Sequence, residues 1–176
     1  MLLYHGTTGK RAYKIFTDKK ISNNCERFFT EEENGSGYTT QGYVYLTNEI
    51  TFAAYFANSH TFMDQSKELF IFRIDVPDEL IEPDYDEMRY QDPTGYDRER
   101  YSSDLECSLA EFKTCRIPVS IEFDSFAIEY FSFNKADVPN IANLFDNAGC
   151  NYNYVVENYS DKQRAFIDSI HWKKTV

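Results

Sequence analysis

Short apolar runs that alternate like strands give way, twice within the first 64 residues, to the three-and-four spacing of helices. Leu2-Leu3-Tyr4 predicts a strand. Thr7 or Thr8 then caps a helix with Ala12, Ile15 and Phe16 inward and Lys10, Arg11 and Lys14 outward, ending near Lys19. Residues 23–42 are polar and centre on Glu31-Glu32-Glu33-Asn34-Gly35-Ser36-Gly37, a composition that predicts a mobile loop. The strand-then-helix pattern follows again: Tyr43 and Tyr45 alternate with Val44 and Leu46, and Thr47 or Asn48 caps a helix. In that helix Phe52, Tyr55, Phe56 and Ser59 share one stripe, while Ala53, Ala54 and Ala57 admit a close neighbour.

Leu69 to Val76 is too apolar and too short to be other than a buried strand. Residues 77–104 are acidic, broken by Pro and Gly, and follow neither period, which predicts a long excursion with a helical turn near Glu87 to Tyr90. The stretch 108–133 predicts two or three strands separated by Pro118 and by Asp124-Ser125. Helices are predicted over 137–147 and again from Ser160, where Ser160 and Gln163 have capping-box spacing and Phe166, Ile167 and Ile170 form an inner stripe. No internal repeat occurs. The expectation is one α+β domain over residues 1–176, with a core over about 1–133 and a helical extension over about 134–176.

Composition narrows the function classes. A 176-residue chain with 42% hydrophobic and 17% aromatic residues can bury one core without staples. Its net charge of −11 resides almost wholly between Asp64 and Glu111, where 15 acidic residues meet 5 basic ones. That excess opposes broad, non-specific binding to nucleic acid or to an anionic membrane. Cys25, Cys107, Cys115 and Cys150 form no Cys-x-x-Cys pair, so neither a zinc site nor a disulfide framework is expected. With no signal-peptide pattern and no run of 18 apolar residues, the reading is a reduced, cytoplasmic protein without a metal.

Candidate chemistry begins at His5, one of three histidines, set after an apolar strand and before Gly6-Thr7. Taken singly, a histidine there is more often structural, a tyrosine in an aromatic strand more often core, and a glutamate ahead of a lysine more often a solvated ion-pair partner. The order carries more than the members. His5-Gly6-Thr7 ends one strand, Val44-Tyr45-Leu46-Thr47 ends a second and leads into Ala53-Ala54-Tyr55-Phe56-Ala57, and Ala110-Glu111-Phe112 opens a third ahead of Pro118 and Ile121.

Over about residues 2–123 this order resembles the His-Tyr-Glu group of ADP-ribosyltransferases, which includes diphtheria toxin and the poly(ADP-ribose) polymerases. Two branches are similar in detail. Tyr4 to Thr7, Val44 to Ala54 and Ile81 to Asp84 resemble the rifampin ADP-ribosyltransferases, and the Ala-Glu-Phe at 110–112 resembles the DNA-targeting toxins of toxin-antitoxin systems. The resemblance implies a split β-sheet core with flanking helices and NAD as co-substrate. It implies that His5 donates a hydrogen bond to the adenosine ribose and that the Gly6 and Thr7 segment lines the cofactor, the bare Gly6 backbone pairing with the nicotinamide amide. Tyr45 would stack on the nicotinamide, with Tyr55 or Phe56 as the second wall, and Glu111 would hold the ribose 2-hydroxyl and stabilise the oxocarbenium-like transition state. Asp84, on the rifampin-enzyme match, and Glu106 compete with Glu111 for that role.

Leu109 stands where arginine-modifying toxins carry Glu or Gln, which disfavours arginine as acceptor. The expected activity is transfer of one ADP-ribose to a protein or nucleic acid by an effector, toxin or phage–host conflict protein. Two alternatives accompany it: an inactive acidic protein-binding module of the same fold, and an enzyme like the RNA 2′-phosphotransferases, which the acidic stretch fits poorly. His60 reads as a cation favoured by a helix end, and His171 as a tail residue beside Trp172.

Overall fold

The computed structural model describes residues 1–25, 39–91, 98–135 and 161–175. Most of the expected mobile loop, the expected helix over 137–147, Ser160 and Cys150 lie outside the described residues, as do the side chains of Gln163 and Phe166. The architecture is mixed α and β, and every strand pair described is antiparallel.

The centre is β4 (Glu68–Asp75), whose Leu69, Phe70, Ile71, Phe72 and Ile74 are all buried. A strand apolar on both faces must be covered on both. On one side pairs β1 (Leu2–Thr8), registered from Leu2 against Asp75 to Thr8 against Leu69; on the other pairs β8 (Ala127–Asn134). The larger sheet runs β5-β6-β3-β1-β4-β8-β9, with β3 at Val44–Thr47, β5 at Glu82–Pro83, β6 at Thr114–Ile117 and β9 at Lys173–Lys174. A separate two-stranded ribbon joins β2 (Lys20–Ile21) to β7 (Ile121–Glu122).

Helix α1 (Gly9–Asp18) covers one face of the sheet. Its Ala12, Ile15 and Phe16 pack with Leu3, Phe70, Phe72, Ile74, Val44 and Leu46, as the spacing predicts. Helix α2 (Ile50–Asp64) covers the opposite face. Here the sequence expectation fails in part. The face turned to the sheet is Ile50, Ala53 and Ala54, which pack on Ile71 and Phe131, while Tyr55 and Phe56 are half-buried and Ser59 is exposed. Its N-cap is Glu49, with Thr47 Oγ1 accepting from the Glu49 N–H at 3.0 Å.

The reason is the approach of α2 to β1. A Cβ on Gly6 would lie 1.6 Å from the Ala53 carbonyl oxygen, so only glycine opposite an alanine stripe lets helix and strand meet. β1 also extends past Tyr4 to Thr8, because residues 6–8 complete the ladder with β4.

Beyond Val76 the acidic excursion contains the expected helical turn, as part of α3 (Tyr85–Gln91), and ahead of it a short strand that its composition does not predict, β5. The segment expected to begin a strand at Ser108 instead continues α4 (Asp104–Cys107) as a single π turn, Ser108–Phe112, closed by Lys113 at φ 59°. Three strands follow, β6, β7 and β8, parted by Pro118 and Asp124-Ser125 as expected. In the tail, α5 (Asp161–Asp168) leads to Ile170 and Trp172. Ile167, Ile170 and Trp172 pack against the α2 side of the core, and the Arg73 guanidinium lies 4.2 Å above the indole centroid.

Candidate functional site

Tertiary structure brings the three motif-bearing segments onto neighbouring strands. β1 carries His5-Gly6-Thr7, β3 beside it carries Tyr45, and β6 beside β3 follows the π turn that carries Glu111. The seam between β1 and β3 is registered at Tyr4 against Thr47, in contrast to the seven-residue ladder between β1 and β4. Past that pair a side chain takes over. His5 Nδ1 lies 3.1 Å from the Tyr45 carbonyl oxygen, and since a carbonyl only accepts, Nδ1 carries the proton and donates. In the neutral tautomer Nε2 is therefore an acceptor, the reverse of the donor role the resemblance implies.

Strand alternation sorts the rest. Leu3, Val44 and Leu46 belong to the α1-side core, so His5 lies on that side of β1, whereas Tyr45 lies on the α2 side with Tyr4, Gly6 and Thr47. His5 is thus joined to the Tyr45 main chain rather than to its ring. Thr7 is buried on the His5 side, opposite Phe70. On α2, Tyr55 and Phe56 form an edge-on pair with centroids 5.5 Å apart. Gly6 is required by helix packing, because Ala53 fills the space its Cβ would need. Its backbone sits where ladder pairing with β3 has ended.

The three candidate carboxylates occupy different settings. Glu111 is half-buried on the π turn, which is fastened to the end of β3 by Asn48 Nδ2 donating to the Leu109 carbonyl at 3.1 Å. By register it precedes Thr114, the partner of Thr47. A π turn inserts an extra residue into the helical spiral and re-aims the side chains around it. Glu106 is exposed and belongs to a capping arrangement: Ser103 Oγ accepts from its N–H at 3.1 Å while its own carboxylate accepts from the Ser102 N–H at 2.8 Å. The Ser102 hydroxyl, which donates to the same carboxylate, and that N–H hold the Glu106 carboxyl below the usual range.

Asp84 is 4% exposed and caps α3, accepting from the Glu87 N–H at 3.0 Å, while its own N–H donates to Ser108 Oγ at 2.9 Å. Burial pushes its carboxyl up to about 7. The nearby Cys115 thiol is pushed up to about 12, first by burial and then by the Asp84 charge.

One residue that the sequence reading passed over is the hub of the Tyr45 side. Asp86, 5% exposed, accepts from the Tyr45 hydroxyl, from the Thr40 N–H at 2.7 Å, from Thr40 Oγ1 at 2.8 Å and from Arg89 at 2.9 Å. Arg116 lies 3.5 Å from it, its guanidinium stacked 3.8 Å above the Tyr43 ring. Burial opposes the Asp86 charge, but the Tyr45 and Thr40 hydrogen bonds and the Arg116 charge outweigh it and hold the carboxyl below its ordinary range. A visible signal existed: Arg116 is a lone charge inside the buried strand Thr114–Ile117, and a buried charge demands a partner. Which acid supplies it, among so many, was not legible.

His60 departs from the cation reading. Burial, then the charges of Arg11 and His5, lower its pKa to about 4, so it is neutral at pH 7. Among the described residues no group of three or more His, Cys, Asp and Glu is placed to hold a metal ion, and no helix is long and apolar enough to cross a membrane. Comparison of the chain with protein-family models, curated proteins and solved structures finds no match.

Proposed function

We propose that the chain is an NAD-dependent mono-ADP-ribosyltransferase that modifies a macromolecular acceptor. One observation carries the reading. Motifs about forty and then about sixty-five residues apart in sequence come together on β1, on β3 beside it and on the π turn that leads into β6, around a seam whose ladder is registered at Tyr4 and Thr47.

In this reading NAD lies across that seam. The nicotinamide takes the α2 side, paired with the Gly6 backbone and stacked on Tyr45, with Tyr55 or Phe56 as second wall. The adenosine ribose takes the α1 side, where Nε2 of His5 accepts from a ribose hydroxyl. Breaking the bond between nicotinamide and ribose C1 leaves positive charge on the sugar, which a fixed carboxylate stabilises as it forms. Glu111 is our choice for that carboxylate, because the π turn that carries it is fastened to the end of β3, the strand that carries Tyr45. Glu111 would also take a proton from a hydroxyl or base nitrogen of the acceptor.

The test is thermal and chemical together. NAD at about one hundred times its Kd should stabilise the fold by about 2.7 kcal/mol, and labelled NAD should modify a macromolecule in a cell extract. Glu111→Gln should keep the thermal shift and lower kcat about 10²–10⁴-fold. No thermal shift at millimolar NAD, with no labelling, would overturn the proposal.

A further inference from the structure

Why would a chain bury a carboxylate at the hydroxyl end of an aromatic ring that, on the reading above, must present its face to a ligand? A phenol attached through Cβ alone swings about χ1 and flips about χ2. Its hydroxyl is the natural place to stop the swing, since only that motion displaces it. Asp86 meets that hydroxyl, which also lies 3.0 Å from the Thr40 carbonyl oxygen, and its own position is over-determined: the Thr40 N–H and hydroxyl and Arg116 approach the same two oxygens from two other segments, and Arg89 from one turn along α3. A carboxylate offers about four lone-pair directions. Here the donors account for all of them. Tyr45 and Arg116 are also direct cross-strand partners, so the acid, the cation and the ring are set by one register.

We propose that Asp86 is the positioning residue of the Tyr45 ring, fixing its χ1 rotamer through the hydroxyl and tying it to Thr40 and Arg116 so that the aromatic platform is formed before any ligand arrives. The inference rests on the NAD reading for what the platform receives, but not for the locking itself. Asp86 touches neither substrate nor reacting atoms in this scheme. It acts through the ring.

Two measurements separate the parts. The first reads the platform without ligand: the χ1 rotamer of labelled residue 45 from its NMR couplings in the full chain, in wild type, Asp86→Ala and Tyr45→Phe. A single rotamer in wild type and averaging over rotamers in Asp86→Ala is the expected result. The same χ1 populations in both would overturn the proposal. The second reads NAD affinity in a double-mutant cycle. Asp86→Ala and Tyr45→Phe should each weaken NAD binding about tenfold, and the double variant should be weakened by less than the product of the two, because both remove the bond between Tyr45 and Asp86.

Additive losses, or unchanged affinity with only a lowered melting temperature, would make Asp86 a merely structural residue and overturn the proposal. Should Asp86→Ala not fold, Tyr45→Phe removes the bond from the other end and leaves Asp86 its Thr40 and arginine partners. Averaging of χ1 in Tyr45→Phe against a single rotamer in wild type then supports the proposal, and equal χ1 populations overturn it. If the wild-type chain binds no NAD, the functional proposal fails, while the ring measurement still decides the positioning role.

Discussion

At the scale of single residues, two buried titrating groups oppose each other. Asp84 has a pKa of about 7 in the fold against an ordinary 3.8, so the folded state takes up its proton first; its contribution is favourable below pH 3.8 and is lost as pH rises through 7. His60 is the converse. Its folded pKa of about 4 lies below the ordinary 6.5, so the unfolded state protonates first, and its contribution, present above pH 6.5, is lost as pH falls through 4. Each proton of difference changes stability by about 1.4 kcal/mol per pH unit. Between pH 4.5 and 6.5 the two slopes cancel. Chemical denaturation across that window should give a nearly flat profile for wild type, stability falling toward acid for Asp84→Asn, and stability rising toward acid for His60→Gln.

The same scale shows how much of the site the sequence carried. His5, Gly6, Tyr45 and Glu111 were legible because each sits in a short local pattern at the end of an element. Asp86 was not, because its partners Tyr45 and Arg116 are distant in sequence and nothing local marks it among the acids of 64–111. The proton on His5 Nδ1 was equally hidden, since the Tyr45 carbonyl that fixes it belongs to another strand.

Between elements, the contact of α2 with β1 decides most. Gly6→Ala would drive a methyl to within 1.6 Å of the Ala53 carbonyl, and backbone on both sides leaves no flexible side chain to yield. A loss of about 3 kcal/mol or more is expected from such overpacking, measured by urea unfolding, with β1 and α2 amides losing protection together. The aromatic stripe of α2 misled for a related reason. Periodicity finds the larger hydrophobes, yet the sheet accepted the smaller ones because strand and helix approach so closely. The stretch at Ser108 misled differently: alternation over five residues cannot distinguish a strand from one wide helical turn.

For the whole molecule, the sheet is two unequal parts meeting at the β1–β3 seam. β1, β4 and β8 are covered by apolar residues from α1, α2 and the tail, whereas β3, β5 and β6 carry Tyr45, Glu82 and Arg116, which α3 joins into a polar network through Asp86. A ligand lying across the seam must touch both parts. Hydrogen exchange with and without NAD should therefore slow in residues 4–7 and 44–47 together. Protection of one strand alone would place the ligand elsewhere.

The sequence by itself determined the periods: which stretches bury a face, where α1 and α2 begin to within a residue or two, and which residue types stand at strand ends, all consequences of local sterics and hydrophobic spacing. Only the tertiary structure decided which strands lie side by side, which face of α2 turns inward and which of many acids meets Tyr45 and Arg116. Those outcomes depend on contacts between segments far apart along the chain. They are selected by packing and by the need to pair buried charge, neither of which leaves a local trace.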